Sequence, residues 1–583
     1  MWRNDKFIVR LCFILLALIF WRGFYSFHLA YQEQFQLFMF TSDYWINKCM
    51  YPGGICEYIS EFLTQFYYSQ WLGSIILVGV LVLVQWLTSR LIKGTGNGTD
   101  WYYLSYLPAI AVWCFLCDEN NMLAAVVSLL VVMVVAKGSL CIRNVYLRWG
   151  YILILTPIVY WVAGGLHWLF VCLAVIYELL LWKSEKLLYR LSVCIFFLCL
   201  AFLYPYIASE AIQYPFFRLM TGIGYYRYPT GVPLTGIIVC VLLCLTVIAS
   251  FFVQISDVKW KKSIKAVQLI VLVILGAVGI YFTSDWQKEQ VMTYDYYVRN
   301  RQWNKVIEMA EKKHPETPLE VVCLNLALGK TGQLGERMFQ FYQNGVGGLI
   351  PDFIRDFNSP LIVNEVYYHL GMINTSQRFT FEAMEAIPSY QKSARCYQRL
   401  AETNIINGDY VLAKKYLTAL QHTLFYKKWA DEAMSYLFDD KKVDNHPEWG
   451  KLRTFLYKDD FLFFEEQKDM MLGLLLNANK HNKMAFEYLL AYELLGKNIE
   501  AFLKYYPLGK DMGYASIPRS YQEVLLYVWT QQHSSFKGMP WSISPVLQKE
   551  VTDFAIAYVR HPSDKEFFKQ NFGQTYWYYL LFR

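Results

Sequence analysis

The sequence predicts an all-α protein: a polytopic helical membrane domain of about nine spans over residues 1–285, followed by a soluble tetratricopeptide-like helical-repeat domain over 286–583. Three observations predict it. Of 583 residues, 56% are hydrophobic and 17% charged, which excludes disorder, and the positive mean hydropathy of +0.24 arises because apolar residues crowd into the first half. Nine stretches there approach the length needed to cross a bilayer, roughly 20 apolar residues for about 30 Å of hydrocarbon. In the second half, Leu, Tyr and Phe recur at helical spacing with few alternating β-branched runs.

The nine stretches run over about 7–26, 71–89, 101–117, 121–136, 149–164, 167–182, 190–207, 234–254 and 266–283, with Gly164-Gly165 splitting the fifth from the sixth. Loop charge orients them. Alternate loops carry Arg3 and Lys6; Arg90 and Lys93; Lys137, Arg143 and Arg148; Lys183, Lys186 and Arg190; and Lys259, Lys261, Lys262 and Lys265. The intervening loops carry only Lys48, Arg218 and Arg227. Basic residues in short loops stay in the cytoplasm, so the N-terminus is expected inside a bacterial inner membrane and the C-terminal domain in the periplasm. Arg22, Phe24 and Tyr25 stand where a signal peptide would need small residues, so the first stretch reads as an uncleaved anchor. The net charge of +7 falls largely on one side of these spans and implies a lipid bilayer and no nucleic acid as partner.

Two outer loops are long, 28–70 and 208–233. In the first, the Pro52-Gly53-Gly54 turn precedes Ile55, Tyr58, Ile59, Phe62, Leu63, Phe66 and Tyr67, the spacing of one helix face. Glu57, Ser60, Glu61, Thr64 and Gln65 fall on the other face, which predicts a helix lying in the membrane–water boundary. The second is rich in turn residues and holds Tyr225-Tyr226-Arg227-Tyr228. In the tail, Ala394–Thr423 reads as two helices about Asn407-Gly408-Asp409, with Gly408, Tyr410 and Ala413 at tetratricopeptide spacing. Stacked helix pairs of that kind would present a surface for a peptide or protein partner.

Candidate chemistry is sparse. No phosphate-binding loop, zincin, nucleophile-elbow or dinucleotide motif is present, and the nine His show no ligand spacing, so no cofactor is evident. Cys114 and Cys117 read as packing residues beside a span. Cys49 and Cys56 flank the Pro-Gly-Gly turn and are a candidate disulfide in an oxidising compartment. Asn97-Gly98-Thr99 falls on the inner side and is no glycosylation acceptor in this topology. Glu33 and Asp43, just beyond the first span, are candidate catalytic acids able to act as general base or to hold a divalent cation. Arg218 and Arg227 suit a phosphate, with Tyr225 beside them for a lipid chain and Tyr44 and Trp45 as faces on which a sugar could stack.

The run Gln32-Glu33-Gln34-Phe35-Gln36-Leu37-Phe38, then Thr41-Ser42-Asp43-Tyr44, Pro52-Gly53-Gly54, and Glu57-Tyr58 with Phe62-Leu63-Thr64-Gln65-Phe66-Tyr67, resembles an uncharacterised Gram-negative bacterial family of multipass membrane proteins with a tetratricopeptide-like tail. The topology is also similar to that of polytopic glycosyltransferases that use lipid-phosphate sugars, which implies an acid in the first outer loop. Those enzymes carry a close acid pair, whereas Glu33 and Asp43 stand ten residues apart. Two functions follow as expectations: a scaffold or interaction component of the cell envelope, or a membrane glycosyltransferase acting at the outer leaflet.

Overall fold

The computed structural model describes residues 2–93, 101–182, 186–227, 231–252, 258–354, 358–387, 392–457, 466–510 and 512–583. Among them the chain is helical without strands, apart from one isolated bridge between Asn121 and Tyr226. Asn97-Gly98-Thr99, Lys183 and Tyr228 lie outside the described residues, as do the side chains of Arg3, Lys259, Lys261 and Lys262. The chain divides into two compact units: one comprises 1–289 with 387–394 and 419–428, the other 290–386, 395–418 and 429–583.

In the first unit the helices are α1 (Trp2–Ile19), α2 (Ser26–Gln32), α3 (Ser42–Cys49), α4 (Gly54–Thr64), α5 (Gln70–Lys93), α6 (Tyr106–Leu116) and α7 (Leu123–Ser139). They continue as α8 (Val145–Ala163), α9 (His167–Leu180), α10 (Leu187–Ala211), α11 (Phe216–Thr221), α12 (Leu234–Phe252) and α13 (Val258–Thr283). Six helical stretches are long and apolar enough to cross a membrane: Asp5–Phe24, Gln70–Lys93, Val145–Leu180, Leu187–Ala211, Leu234–Phe251 and Ser263–Thr283. The stretches read at 101–117 and 121–136 are the shorter apolar helices Tyr102–Leu116 and Leu123–Ser139.

Val145–Leu180, although continuous in hydropathy, doubles back. Gly164 stops α8 with φ +65°, a conformation that favours glycine. Arg148 near the start of α8 then forms a buried ion pair with Glu178 near the end of α9, and its Nη2 donates to Glu178 Oε2 at 3.1 Å. Thirty residues of unbroken helix would hold those groups roughly 45 Å apart. Arg190, at the start of α10, donates to the carbonyls of Glu178 and Trp182 at 3.0 and 2.6 Å, so three helix ends converge on Glu178.

Some polar groups inside this unit are paired between helices, as Gln85 Nε2 donating to Ser105 Oγ at 2.7 Å illustrates. Its outside is apolar: Ile195, Phe202, Ile237, Val273 and Phe282 are all exposed on α10, α12 and α13, a surface suited to lipid and costly in water. In the first turn of the helix that begins at Trp286, Glu289 accepts the backbone N–H groups of Phe27 and His28, both at 2.9 Å, and so caps the N-terminus of α2 from a distant part of the chain.

The second unit contains α14 (Trp286–Arg299, from Gln290 onward), α15 (Trp303–Lys312), α16 (Pro318–Lys330), α17 (Leu334–Arg337), α18 (Asn358–Leu370) and α19 (Ile373–Glu385), with most of α20 (Ala394–Asn407) and α21 (Tyr410–Gln421). Thr317 starts α16 with a capping box: its hydroxyl accepts from Glu320 N, and the Glu320 carboxylate accepts from Thr317 N. Gly408 turns between α20 and α21 at φ +85°, which brings Tyr397 edge-on to Tyr416 at 5.3 Å. A buried ionic lattice ties α14, α18 and α20 together. Arg395 pairs with both oxygens of Asp295 at 2.8 and 3.0 Å, Glu365 accepts from Arg395 and Arg399 at 3.0 and 2.6 Å, and Arg399 reaches Glu402 at 2.8 Å.

Candidate functional site

At the end of the first unit where α8 turns into α9, residues from both long loops meet. Gly53 N–H donates to Trp161 O at 2.9 Å, and a Cβ built on Gly53 or on Gly164 would stand 3.2 Å from the other's Cα. Both glycines also have positive φ, so the two turns pack backbone to backbone. The Tyr225 hydroxyl donates to Ala163 O and accepts from Leu166 N–H at 3.4 Å. Met122 N–H donates to Tyr225 O at 2.9 Å and Arg227 N–H to Asn120 O at 2.8 Å, which stitches the 222–227 segment onto the start of α7.

Beside that junction lies a buried charge cluster. Lys48, in the last turn of α3, donates to Glu57 Oε1 at 2.7 Å and to Glu61 Oε1 at 2.8 Å. Tyr44, one turn earlier, donates its hydroxyl to the other oxygen of Glu61. The geometry comes from two i, i+4 pairs on facing helices, Tyr44 with Lys48 and Glu57 with Glu61. Gly224 closes over it, since a Cβ there would stand 2.3 Å from Glu57 Oε2. Burial pushes the Glu61 carboxyl up and the charge of Glu57 adds to that, while Lys48 opposes. Burial works against the Lys48 ammonium, yet Glu57 and Glu61 outweigh it and hold it well above its usual range. The Tyr44 phenol is raised by burial first and then by the charge of Glu61.

Glu57 and Glu61 line a small depression of about 50 Å³ with Gln32, Gln36, Ser60, Thr64 and Arg227. The Arg227 guanidinium is buried, 4.3 Å over the Phe35 ring, and donates to the Tyr31 hydroxyl at 3.4 Å. An apolar groove of about 240 Å³ adjoins it between α6, α7 and α12, lined by Phe115, Val126, Leu129, Gly236 and Val239. Tyr226 belongs to the walls of both.

The residues singled out in the sequence fall in several places. Arg227 lines the polar depression, and Tyr44 bonds the Glu61 carboxylate at its edge. Glu33 is buried elsewhere in the unit, where the Tyr426 hydroxyl bonds both its oxygens at 2.9 and 3.0 Å. Asp43 is exposed in the first turn of α3 and lines neither cavity. Trp45 is half-exposed with its ring edge on Tyr58 at 4.7 Å, Arg218 donates to Ile223 O at 3.1 Å, and Tyr225 pins the α8–α9 turn. Cys49 and Cys56 are free thiols. Among the described residues no group of three or more His, Cys, Asp or Glu is placed to hold a metal ion.

In the sequence the side of α4 that carries Glu57 and Glu61 reads as solvent-facing, whereas the structure turns it inward. Glu57, Ser60, Glu61 and Thr64 are buried while Ile59 and Phe62 are exposed. The cation that balances them, Lys48, is the one basic residue of its loop, and that isolation was the available signal.

Fold and site together define a helical protein with apolar helices of membrane-crossing length and a buried acid–base cluster at one end of them. The chain belongs to a family of unknown function, DUF6057, whose model matches residues 2–583. No curated protein and no solved structure matches it.

Proposed function

We propose that this is a polytopic inner-membrane protein of nine spans that binds a lipid-linked substrate at the outer leaflet, as in the lipid-phosphate-sugar glycosyltransferases. The observation that carries the reading is the adjoining pair of cavities sharing Tyr226: a polar one with carboxylates and a guanidinium, and an apolar one of chain-like lining. Such a pair fits an amphiphile, with a phosphorylated head near Arg227 and a hydrocarbon chain along Phe115, Leu129 and Val239. Glu61, its carboxyl raised by burial, is the group suited to take a proton from an acceptor hydroxyl, a role worth about a hundred- to ten-thousand-fold in rate. Lys48 and Tyr44 fix its orientation from opposite oxygens.

Native mass spectrometry of detergent-purified protein with polyprenyl phosphate tests the binding step. Gly236→Leu, which fills the groove beside Tyr226 and Phe115, is expected to lose the lipid, and Glu61→Gln to keep it while failing to complement a deletion strain. Full complementation by both variants would sink the reading. The scaffold function is favoured by a different feature, the helical-pair architecture of the second unit, which we take as a degenerate tetratricopeptide-like array facing the periplasm. It predicts that Glu61→Gln leaves the phenotype unchanged whereas deletion of 429–583 abolishes it.

A further inference from the structure

The second unit holds a cavity of about 470 Å³, within the range of small-molecule sites and independent of the amphiphile reading above. Its walls carry four cations, Arg301, Lys330, Lys451 and Lys483, against two carboxylates, Glu448 and Glu487. Both carboxylates are engaged: Arg301 pairs with Glu448 at 2.5 Å, and Glu487 accepts from the Tyr514 hydroxyl at 3.0 Å with Lys483 at 3.9 Å. Lys330 and Lys451 have no carboxylate within 4.0 Å among the described residues. Each ammonium instead stands 5.9 Å from an aromatic centroid of the cavity wall, Lys330 from Trp303 and Lys451 from Phe455.

Three further features mark the place. The helix Lys483–Leu495 begins in the cavity wall, so its positive end adds to the field. His369 lines the wall with its side chain 2% exposed; its Nε2 makes no hydrogen bond and stands 3.8 Å from Glu365 Oε2, with Nδ1 3.9 Å from Glu448 Oε1. Arg301, at the rim, holds φ +56°, the left-handed region where glycine is the default. Two like-charged ammoniums left on one cavity wall repel until an anion joins them.

We propose that this cavity binds a small organic anion, its carboxylate or phosphate oxygens held by Lys330 and Lys451 and its body resting on Trp303 and Phe455. The shared chemistry is a multiply charged oxyanion on a compact body, and the test separates its two sources. Full-length protein in detergent is titrated by calorimetry with triglutamate and with glucose 6-phosphate, beside their neutral analogues triglutamine and glucose. One of the charged probes is expected to bind at least tenfold more tightly than its neutral partner. That affinity should fall at least tenfold in Lys330→Ala/Lys451→Ala and on raising salt from 50 to about 500 mM. The control Lys565→Ala/Lys569→Ala should bind as the parent does. Lys330→Arg/Lys451→Arg, which keeps the charge, should retain most of the affinity and shows that loss in the alanine variant is not misfolding. Equal affinity for charged and neutral probes, or undiminished binding by the alanine variant, overturns the proposal.

Discussion

An anion buried between an ammonium and a phenol keeps its charge only while both partners stay. Glu61 is in that position, and Glu57 shares the same ammonium. Lys48→Met would leave two carboxylates facing each other without a cation, a loss of about 3–5 kcal/mol by the rule for half-broken buried pairs. Without the Lys48 charge the Glu61 carboxyl, already raised by burial, would rise further, and a carboxyl raised in the folded state withdraws stability as pH increases past its unfolded value. Calorimetric melting of Lys48→Met should therefore show a larger deficit at pH 8 than at pH 5, and the triple change Lys48→Met/Glu57→Gln/Glu61→Gln should recover much of it. Glu365 in the second unit has the opposite sign. Burial opposes its charge, but Arg399 and Arg395 outweigh burial and hold the carboxyl down at about 2 against a usual 4.5. Its contribution is full above pH 4.5 and is lost as pH falls toward 2. Glu365→Gln should flatten the acid limb of the second unit's melting curve and cost about 3–5 kcal/mol at neutral pH, since Arg395 and Arg399 lose their shared anion.

Among the elements, α4 separates what periodicity encodes from what it leaves open. Its two faces are readable in the sequence, but periodicity says only that they differ, and which one turns inward depends on the solvent around the unit. Against α7 the side carrying Cys56, Ser60 and Thr64 is buried and packs on an apolar helix, with Ile59 and Phe62 left outward. Ser60→Leu should therefore destabilise by about 1–3 kcal/mol through overpacking, while Ile59→Ser should stay within about 0.5 kcal/mol in detergent. Thermal melting of the two variants distinguishes this orientation from its reverse, in which their ranking exchanges. The Gly164-Gly165 break was legible because two glycines interrupt an apolar run. The cap that Glu289 places on α2 was not, since residues 261 apart along the chain meet only through the tertiary fold. For the same reason Lys48, Glu57 and Glu61 read as three unrelated loop residues, although helical spacing already put the two acids on one side of α4.

For the whole molecule, the distribution of charge between the two ends of the apolar helices is what orientation rests on. Arg148, Glu178 and Arg190 meet at one end of α8, α9 and α10. The Gly53, Gly164 and Tyr225 contacts gather at the end where α8 turns into α9. Two cations counted as topological signals, Arg148 and Arg190, thus also serve as internal struts, both at the same end of the helices. Lys186, exposed just before α10, shares that side without an internal role. If the bias toward basic inner loops sets orientation, the strut end is cytoplasmic, the carboxylate cluster opens at the opposite face, and the chain leaves α13 on the periplasmic side. Alkaline phosphatase fused after Lys186 should then be inactive, while fusion at Arg583 should be active, and green fluorescent protein at the same points should give the complementary pattern. A fluorescent, phosphatase-negative fusion at Arg583 would reverse the membrane. The acids of α4 would then face the cytoplasm, where a nucleotide-linked donor replaces a lipid-linked one as the chemistry to test.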